Sequence, residues 1–213
     1  KAVSRPRTQR RFDASRGHLL ATLEGSLSRL DTDYIDVWYL HAWDPWTPMD
    51  ETLAAADDAV RSGKVRYVAV SNYAGWQLAR AATWQQAGGG RSPIAAAQME
   101  YSLVQRGIER EVIPAAQALG VGITPWSPLG RGVLTGKYRS DADFGKSVRG
   151  GRMASYLNDR GRAILAGLDA VAAASNATPA QVALAWLMRR PGIAAPIASA
   201  TNLEQLADLT AAM

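Results

Sequence analysis

The feature that most limits what this chain can become is a rhythm. Short apolar runs recur roughly every thirty residues, at 34–41, 65–70, 94–98 and 121–126, and a stretch of helical periodicity fills each gap. Each run reads as a strand, and the one at 34–41, which opens with Tyr34 and Ile35, as a strand buried on both faces. Parallel neighbours need a long crossover, whereas a hairpin needs two residues, so strand–helix–strand units of this length predict a parallel α/β sheet. Residues 195–198 are short enough for a last strand, which brings the expected number to five.

The helical stretches carry their own punctuation. Leu19, Leu20, Leu23, Leu27 and Leu30 fall at helical spacing behind Asp13 and Ser15, either of which suits a cap. Residues 49–62 place Leu53, Ala56 and Val60 on one face and stop at Gly63. Further helices are expected after Ser71 and Asn72 through about 87, from 109 to 119, from 159 to 174, from 178 to 189 and from 202 to 212. The helix at 178 opens with Thr178, Pro179 and Gln181, a capping box with Pro at the first helical position. Between 126 and 156 the rhythm gives way to a Gly- and Arg-rich excursion.

Composition narrows the function classes. The 213 residues contain no cysteine, which excludes disulfides, thiolate catalysis and Cys-ligated metal. His18 and His41 are the two imidazoles, and neither lies at metal-ligand spacing, so no metal site is expected. The formal charge of +5 is concentrated before residue 17, where Lys1, Arg5, Arg7, Arg10, Arg11 and Arg16 face Asp13. Phe12 is the single aromatic interleaving that run, so it reads as a solvated loop rather than a nucleic-acid surface. No apolar run reaches the ~20 residues needed to span a bilayer, and no leader pattern is seen, so a cytoplasmic protein with no membrane partner is expected.

The run 34–41 ends abruptly in His41, and a loop rich in Trp and Pro follows. An imidazole at the carboxyl end of a buried strand stands where barrels and open α/β sheets hold their chemistry. The alternative is a buried histidine satisfied by a backbone carbonyl.

Five segments, taken in order, resemble one family. They are SLSRLDTDYIDVWYLH at 26–41, SGKVRYVAVSNY at 62–73, QMEYSL at 98–103, WSPLGRGVLTGKY at 126–138 and SATNLEQL at 199–206. Together they resemble the aldo-keto reductases, (β/α)8 TIM-type barrels that use a nicotinamide cofactor. The resemblance implies a single domain over 1–213 that carries about five of the barrel's strands. It also implies that a catalytic Asp and Tyr belong to units preceding Lys1, so the chain is expected to be N-terminally incomplete.

Residue by residue, the resemblance implies the following roles. His41 matches the histidine that polarises or orients the substrate carbonyl, and Lys1 matches the lysine that lowers the pKa of the proton-donating phenol; for Lys1 the other reading is a loop residue. Ser71, Asn72 and Gln98 resemble the groups that bind the nicotinamide carboxamide, since an amide both donates and accepts. Ser71 and Asn72 also suit a helix cap. Trp126 resembles the ring on which the nicotinamide stacks, with a core Trp as the alternative. Ser127, Leu129, Arg131, Gly132 and Lys137 fall in the pyrophosphate loop. There Gly permits close backbone approach and the cations supply charge, and Arg149 is a further candidate. Ser199, Thr201 and Gln205 resemble the segment around the adenosine 2′-phosphate, next to a helix N-terminus that favours an anion. Many members carry a basic residue near position 201, and Leu209 stands where Asn often meets adenine. NADPH is the expected cofactor and NADH stays open. Trp43, Trp46 and Tyr73 are candidates to line the pocket of a small carbonyl substrate. The resemblance thus implies an NADPH-dependent reductase of aldehydes or ketones. A cofactor-binding relative with little turnover, like the channel-associated β subunits that typically replace the catalytic His, is the rival reading. Oligomeric state has no signature in the chain.

Overall fold

The computed structural model describes residues 1–4, 11–146 and 155–213. Arg5, Arg7, Arg10 and Arg149 lie outside the described residues. The chain divides into two compact units, one of residues 1–99 with 109–123 and one of residues 100–108 with 124–213.

The first unit contains helix α1 (Arg16–Leu30), strand β1 (Ile35–Leu40), α2 (Met49–Arg61), β2 (Val65–Ser71), α3 (Gly75–Ala87), β3 (Ile94–Gln98), α4 (Val112–Ala118) and β4 (Gly122–Ile123). The strands lie in sequence order, β1-β2-β3-β4, and every neighbouring pair is parallel. Leu40 pairs with Val70 and Ser71 with Gln98, so the carboxyl ends of the first three strands finish level with one another.

Alternate side chains of a strand point to opposite faces. On one face Trp38, Leu40, Val68 and Val70 are each buried to 1% exposure or less. The other face is buried at Ala69 and Ser71 but open at Val37 and Tyr67, which are 38% and 57% exposed. The expectation of strands buried on both faces therefore holds only toward their carboxyl ends. At the open end Arg66 lies over the Tyr34 ring at 4.2 Å and pairs with Asp36 at 3.4 Å.

Two punctuation marks work differently from the sequence reading. Ser15 occupies the N-cap of α1 without a side-chain cap bond. Its backbone N–H and hydroxyl donate to Asp13 Oδ1 at 3.0 and 2.6 Å, while the Arg16 N–H is taken up by Glu51 Oε1 at 2.9 Å. The helix expected over 109–119 is a 3-10 turn at Gly107–Glu109 followed by the shorter α4. Pro114 lacks an N–H and so fits only the first turn, which sets the start of α4 near 112.

The second unit holds a 3-10 turn at Gly130–Thr135 and helices α5 (Asp159–Ser175), α6 (Pro179–Met188) and α7 (Leu203–Thr210). Val133, Leu134, Tyr138, Leu157, Leu165, Leu168 and Ala183 form its apolar core. Thr178 and Gln181 make the expected capping box. The fifth strand does not form. Residues 195–198 contribute one parallel bridge, Ile197 to Trp126, with the Ile197 N–H on the Pro125 carbonyl at 2.8 Å. Pro125 and Pro196 each lack a ladder donor, which limits pairing here to isolated bridges and confines the fourth strand to 122–123.

Candidate active site

His41, Ser71, Asn72 and Gln98 meet at the carboxyl ends of β1, β2 and β3 because the register brings those ends level. Ser71 is fully buried, and its hydroxyl donates to the Gln98 carbonyl at 3.0 Å. Ser71 Oγ also receives the Asn72 side-chain amide at 3.1 Å and the Lys1 ammonium at 3.3 Å. Asn72 Nδ2 lies 3.0 Å from the His41 carbonyl oxygen as well. Its backbone is left-handed, φ 56°, a conformation Asn tolerates better than most residues and one that turns the chain away from the strand. The cap alternative for Ser71 and Asn72 does not apply to their side chains. Ala74 holds the N-cap position of α3, and its N–H is taken by Gln77 Oε1 at 2.8 Å.

Gln98 stands apart within this cluster. It is 7% exposed, its carbonyl is used twice, and its side-chain amide has no protein partner among the described residues. A nearly buried amide left without partners at a strand end is the kind of group a polar ligand completes.

The His41 imidazole is half-buried, with Ser4 Oγ 2.6 Å from Nδ1. Partial desolvation, and after it the charge of Lys1, holds its pKa below the ordinary 6.5, so the ring is neutral at pH 7. Lys1 is exposed along most of its length, but its ammonium is drawn out of solvent, and this desolvation lowers its pKa.

The aromatic candidates beyond His41 separate. Trp43 meets Tyr73 edge-on at 5.4 Å and Trp76 at 5.5 Å. Tyr73 is buried, and desolvation with the nearby Asp44 charge raises its phenol well above the usual range, so it packs rather than titrates. Trp46 is 64% exposed. The loop is organised by Asp44, which sequence reasoning missed. This buried carboxylate accepts from Ala14 N, Trp46 N and Thr47 Oγ1 at 2.8, 3.0 and 2.6 Å.

In the second unit, Ser127, Gly130, Arg131 and Gly132 all have positive φ, at 52°, 55°, 57° and 104°. Within this turn the Gly130 N–H donates to the Ser127 carbonyl and the Gly132 N–H to the Leu129 carbonyl, both at 2.9 Å. Lys137 lies against this turn, since a Cβ built on Gly132 would meet its Nζ at 3.3 Å. Arg131 lies 5.9 Å from the half-buried Trp126 ring and pairs with Glu100 at 3.4 Å. Glu100, also missed from sequence, accepts the Tyr156 hydroxyl at 3.2 Å as well. The Leu129 side chain packs against the apolar core, and its carbonyl accepts the Gly132 and Leu134 N–H groups at 2.9 and 3.1 Å. Ser199 and Thr201 are exposed, and Thr201 N and Oγ1 both donate to Gln205 Oε1 at 3.0 Å.

A hollow of about 720 Å³ within the second unit includes none of these residues. Its lining is mostly apolar, with Leu103, Ile164, Leu168, Val171 and Trp186, and includes Ser175, Gln181, Arg189 and Arg190. Among the described residues no cluster of His, Cys, Asp or Glu is placed to hold a metal ion, and no helix is long and apolar enough to cross a membrane.

The sequence profile of the Aldo/keto reductase family matches residues 5–213. The chain belongs to this family. The family's fold is a (β/α)8 barrel, and the four-stranded parallel sheet with its intervening helices is part of one. Curated relatives agree. The chain is 40% identical over 188 residues to the uncharacterized oxidoreductase YrpG of Bacillus subtilis, covering 87% of this chain and 56% of that protein. It is 33% identical over 198 residues to the probable aldo-keto reductase 1 of Glycine max, covering 92% of this chain and 55% of the relative. It is also 34% identical over 201 residues to a probable voltage-gated potassium channel subunit beta of Oryza sativa subsp. japonica, covering 91% and 61%. The chain thus spans a little over half the length of these relatives.

Proposed function

We propose that this aldo-keto reductase converts an aldehyde or ketone to an alcohol with NADPH as reductant. The observation that carries the reading is the cluster at the strand ends: a buried Gln98 amide, unpartnered among the described residues, beside a Ser71–Asn72 pair that also engages Lys1 and the backbone of His41. These residues fit a nicotinamide. Its carboxamide offers one donor pair and one acceptor, which the Gln98 amide answers in kind. The dihydronicotinamide supplies a hydride when bound.

The chain's own groups do the rest. His41, neutral at pH 7, donates a hydrogen bond to the carbonyl oxygen and so fixes the substrate's orientation and favours charge on that oxygen. The Lys1 ammonium reaches Ser71 Oγ, and as a cation there it lowers the pKa of the phenol that the family resemblance pairs with it. By the family resemblance, Trp126 offers a flat face to the nicotinamide ring, and Lys137, beside the turn at 130–132, offers charge to the pyrophosphate. Arg131 joins them on release from Glu100. That ion pair is exposed on the Arg131 side and therefore weak. Ser199 and Thr201, next to the N-terminus of α7, take the 2′-phosphate. A cytoplasmic setting, where reduced nicotinamide cofactors are held, belongs to the same reading.

The test is the full-length protein mixed with NADPH or NADH and a panel of aromatic and aliphatic aldehydes, followed by loss of dihydronicotinamide absorbance. Consumption dependent on aldehyde, faster with NADPH, is expected. The similarity to a channel β subunit favours one rival, a cofactor-binding protein with little turnover. Tight NADPH binding without consumption of any aldehyde would establish that rival instead.

A further inference from the structure

Residues 1–4 form a short, strongly constrained hook over His41. Ala2 pairs with Leu40 as a parallel bridge, its N–H on the Tyr39 carbonyl at 3.0 Å, and its carbonyl accepts the His41 N–H at 3.1 Å. Ser4 pairs with Phe12 as an antiparallel bridge. Between them lies Val3, fully buried, with φ 88° and with its carbonyl accepting the Asp13 N–H at 2.8 Å. A β-branched residue at positive φ is a genuine outlier, and such backbone persists only where the surroundings over-determine it. Here they do so from both sides of the hook. The hook ends with Ser4 Oγ 2.6 Å from His41 Nδ1, a contact between residues 37 apart in sequence.

We infer that Ser4 is a positioning residue: its hydroxyl donates to His41 Nδ1, so the neutral imidazole is held as the Nε2–H tautomer with its remaining donor available to a carbonyl oxygen. The inference rests on the proposed reductase reading for its purpose, though not for its geometry. Nδ1 is the one partner of the Ser4 hydroxyl among the described residues. A neutral imidazole has one N–H, and whichever nitrogen accepts leaves the proton on the other. A ring whose Nδ1 carried the proton would present a lone pair to the substrate oxygen and repel it. The bound hydroxyl also fixes the plane of the ring, which otherwise would rotate about its χ2 torsion over a broad, roughly two-fold range.

The tautomer can be read directly. The full-length protein is labelled with ¹⁵N-histidine, and the imidazole signals lost in a His41→Gln variant are those of His41. Above the ring's pKa the His41 Nε2 is expected to carry the proton and Nδ1 to be bare. Ser4→Ala is expected to collapse that preference toward an exchanging mixture, and Ser4→Thr to restore it. In turnover, Ser4→Ala should lower kcat about tenfold with little change in the Kd for NADPH, the lower end of what is lost when a partner that orients an imidazole is removed, and Ser4→Thr should recover most of it. Protonation at Nδ1 in the unaltered protein, or a tautomer unmoved by Ser4→Ala, overturns the inference. A tautomer that shifts as expected in a protein that consumes no aldehyde upholds the Ser4–His41 contact and overturns the reductase reading instead.

Discussion

His41 bears on chemistry and on stability at once, and the two are separable by experiment. Among the described residues its ring is hydrogen-bonded to Ser4, whereas its backbone carbonyl accepts from Asn72. His41→Ala keeps that carbonyl and deletes the ring, so kcat should fall at least about tenfold while the Kd for NADPH stays within a factor of about two, as for loss of a group used in a proton-linked step. Unaltered turnover would remove the ring from the mechanism. The pH dependence follows from the direction of its shift. A base whose pKa is lowered on folding binds fewer protons in the native state than in the unfolded chain between the two values. Its contribution to stability is therefore fully present above the ordinary value of 6.5 and is lost as pH falls from there through the lower, folded value. Urea midpoints measured from pH 8 downward should show an acid-side loss beginning near 6.5 that is smaller in His41→Gln; equal slopes would place the ring in a solvent-like setting. What was legible at this scale is what a strand end reveals. His41, Ser71 and Gln98 each close an apolar run and are found together. Ser4, Asp44 and Glu100 were invisible because their partners, at 41, at 14 and 47, and at 131 and 156, are fixed by the tertiary path and by no local pattern.

Among the elements, α3 and α4 show how tightly the helices behind the sheet are matched. Gly75 opens α3, and its N–H, an orphan donor at a helix start, is taken by Glu111 at the N-cap of α4. A Cβ at residue 75 would lie 2.8 Å from Glu111 Cγ, 2.9 Å from its Cβ and 3.0 Å from its backbone carbon. The last of these cannot swing aside as a side chain would. Gly75→Ala should then destabilise the fold by about 1–3 kcal/mol, the usual cost of overpacking, although Ala is ordinarily the better helix former. A raised urea midpoint would show that α4 shifts freely. The rhythm of strands and helices was readable because periodicity and caps are local properties: β3 coincides with the apolar run at 94–98, and the Thr178 capping box marks α6. The failures occurred where proline intervened. A short apolar run reads as a strand whether or not its N–H groups can be used, and Pro125 and Pro196 withhold theirs.

At the scale of the whole molecule, the cofactor reading makes a demand on stability that a merely structural arrangement of the same residues would not. A ligand that binds the native state alone adds RT ln(1 + [L]/Kd), about 2.7 kcal/mol at a hundredfold excess over Kd. For a chain of this size each kcal/mol moves Tm by about 2–4 °C, so saturating NADPH should raise it by roughly 5–10 °C. The two nicotinamide cofactors differ by one phosphate on the adenosine ribose. If Ser199, Thr201 and the N-terminus of α7 hold that phosphate, NADH at the same concentration should give a smaller shift. The gap should narrow as salt rises, since exposed groups are screened once the Debye length falls below ~10 Å at 0.1 M. Thr201 has a second duty, donating through N and Oγ1 to Gln205 Oε1 at the start of α7. Thr201→Glu would place a carboxylate where the phosphate is expected and should reverse the order of the two cofactors. Equal shifts from NADPH and NADH, in the unaltered protein and in Thr201→Glu alike, would move the 2′-phosphate site away from residues 199–205 and leave the carboxamide cluster at 71, 72 and 98 as the part of the cofactor reading still standing.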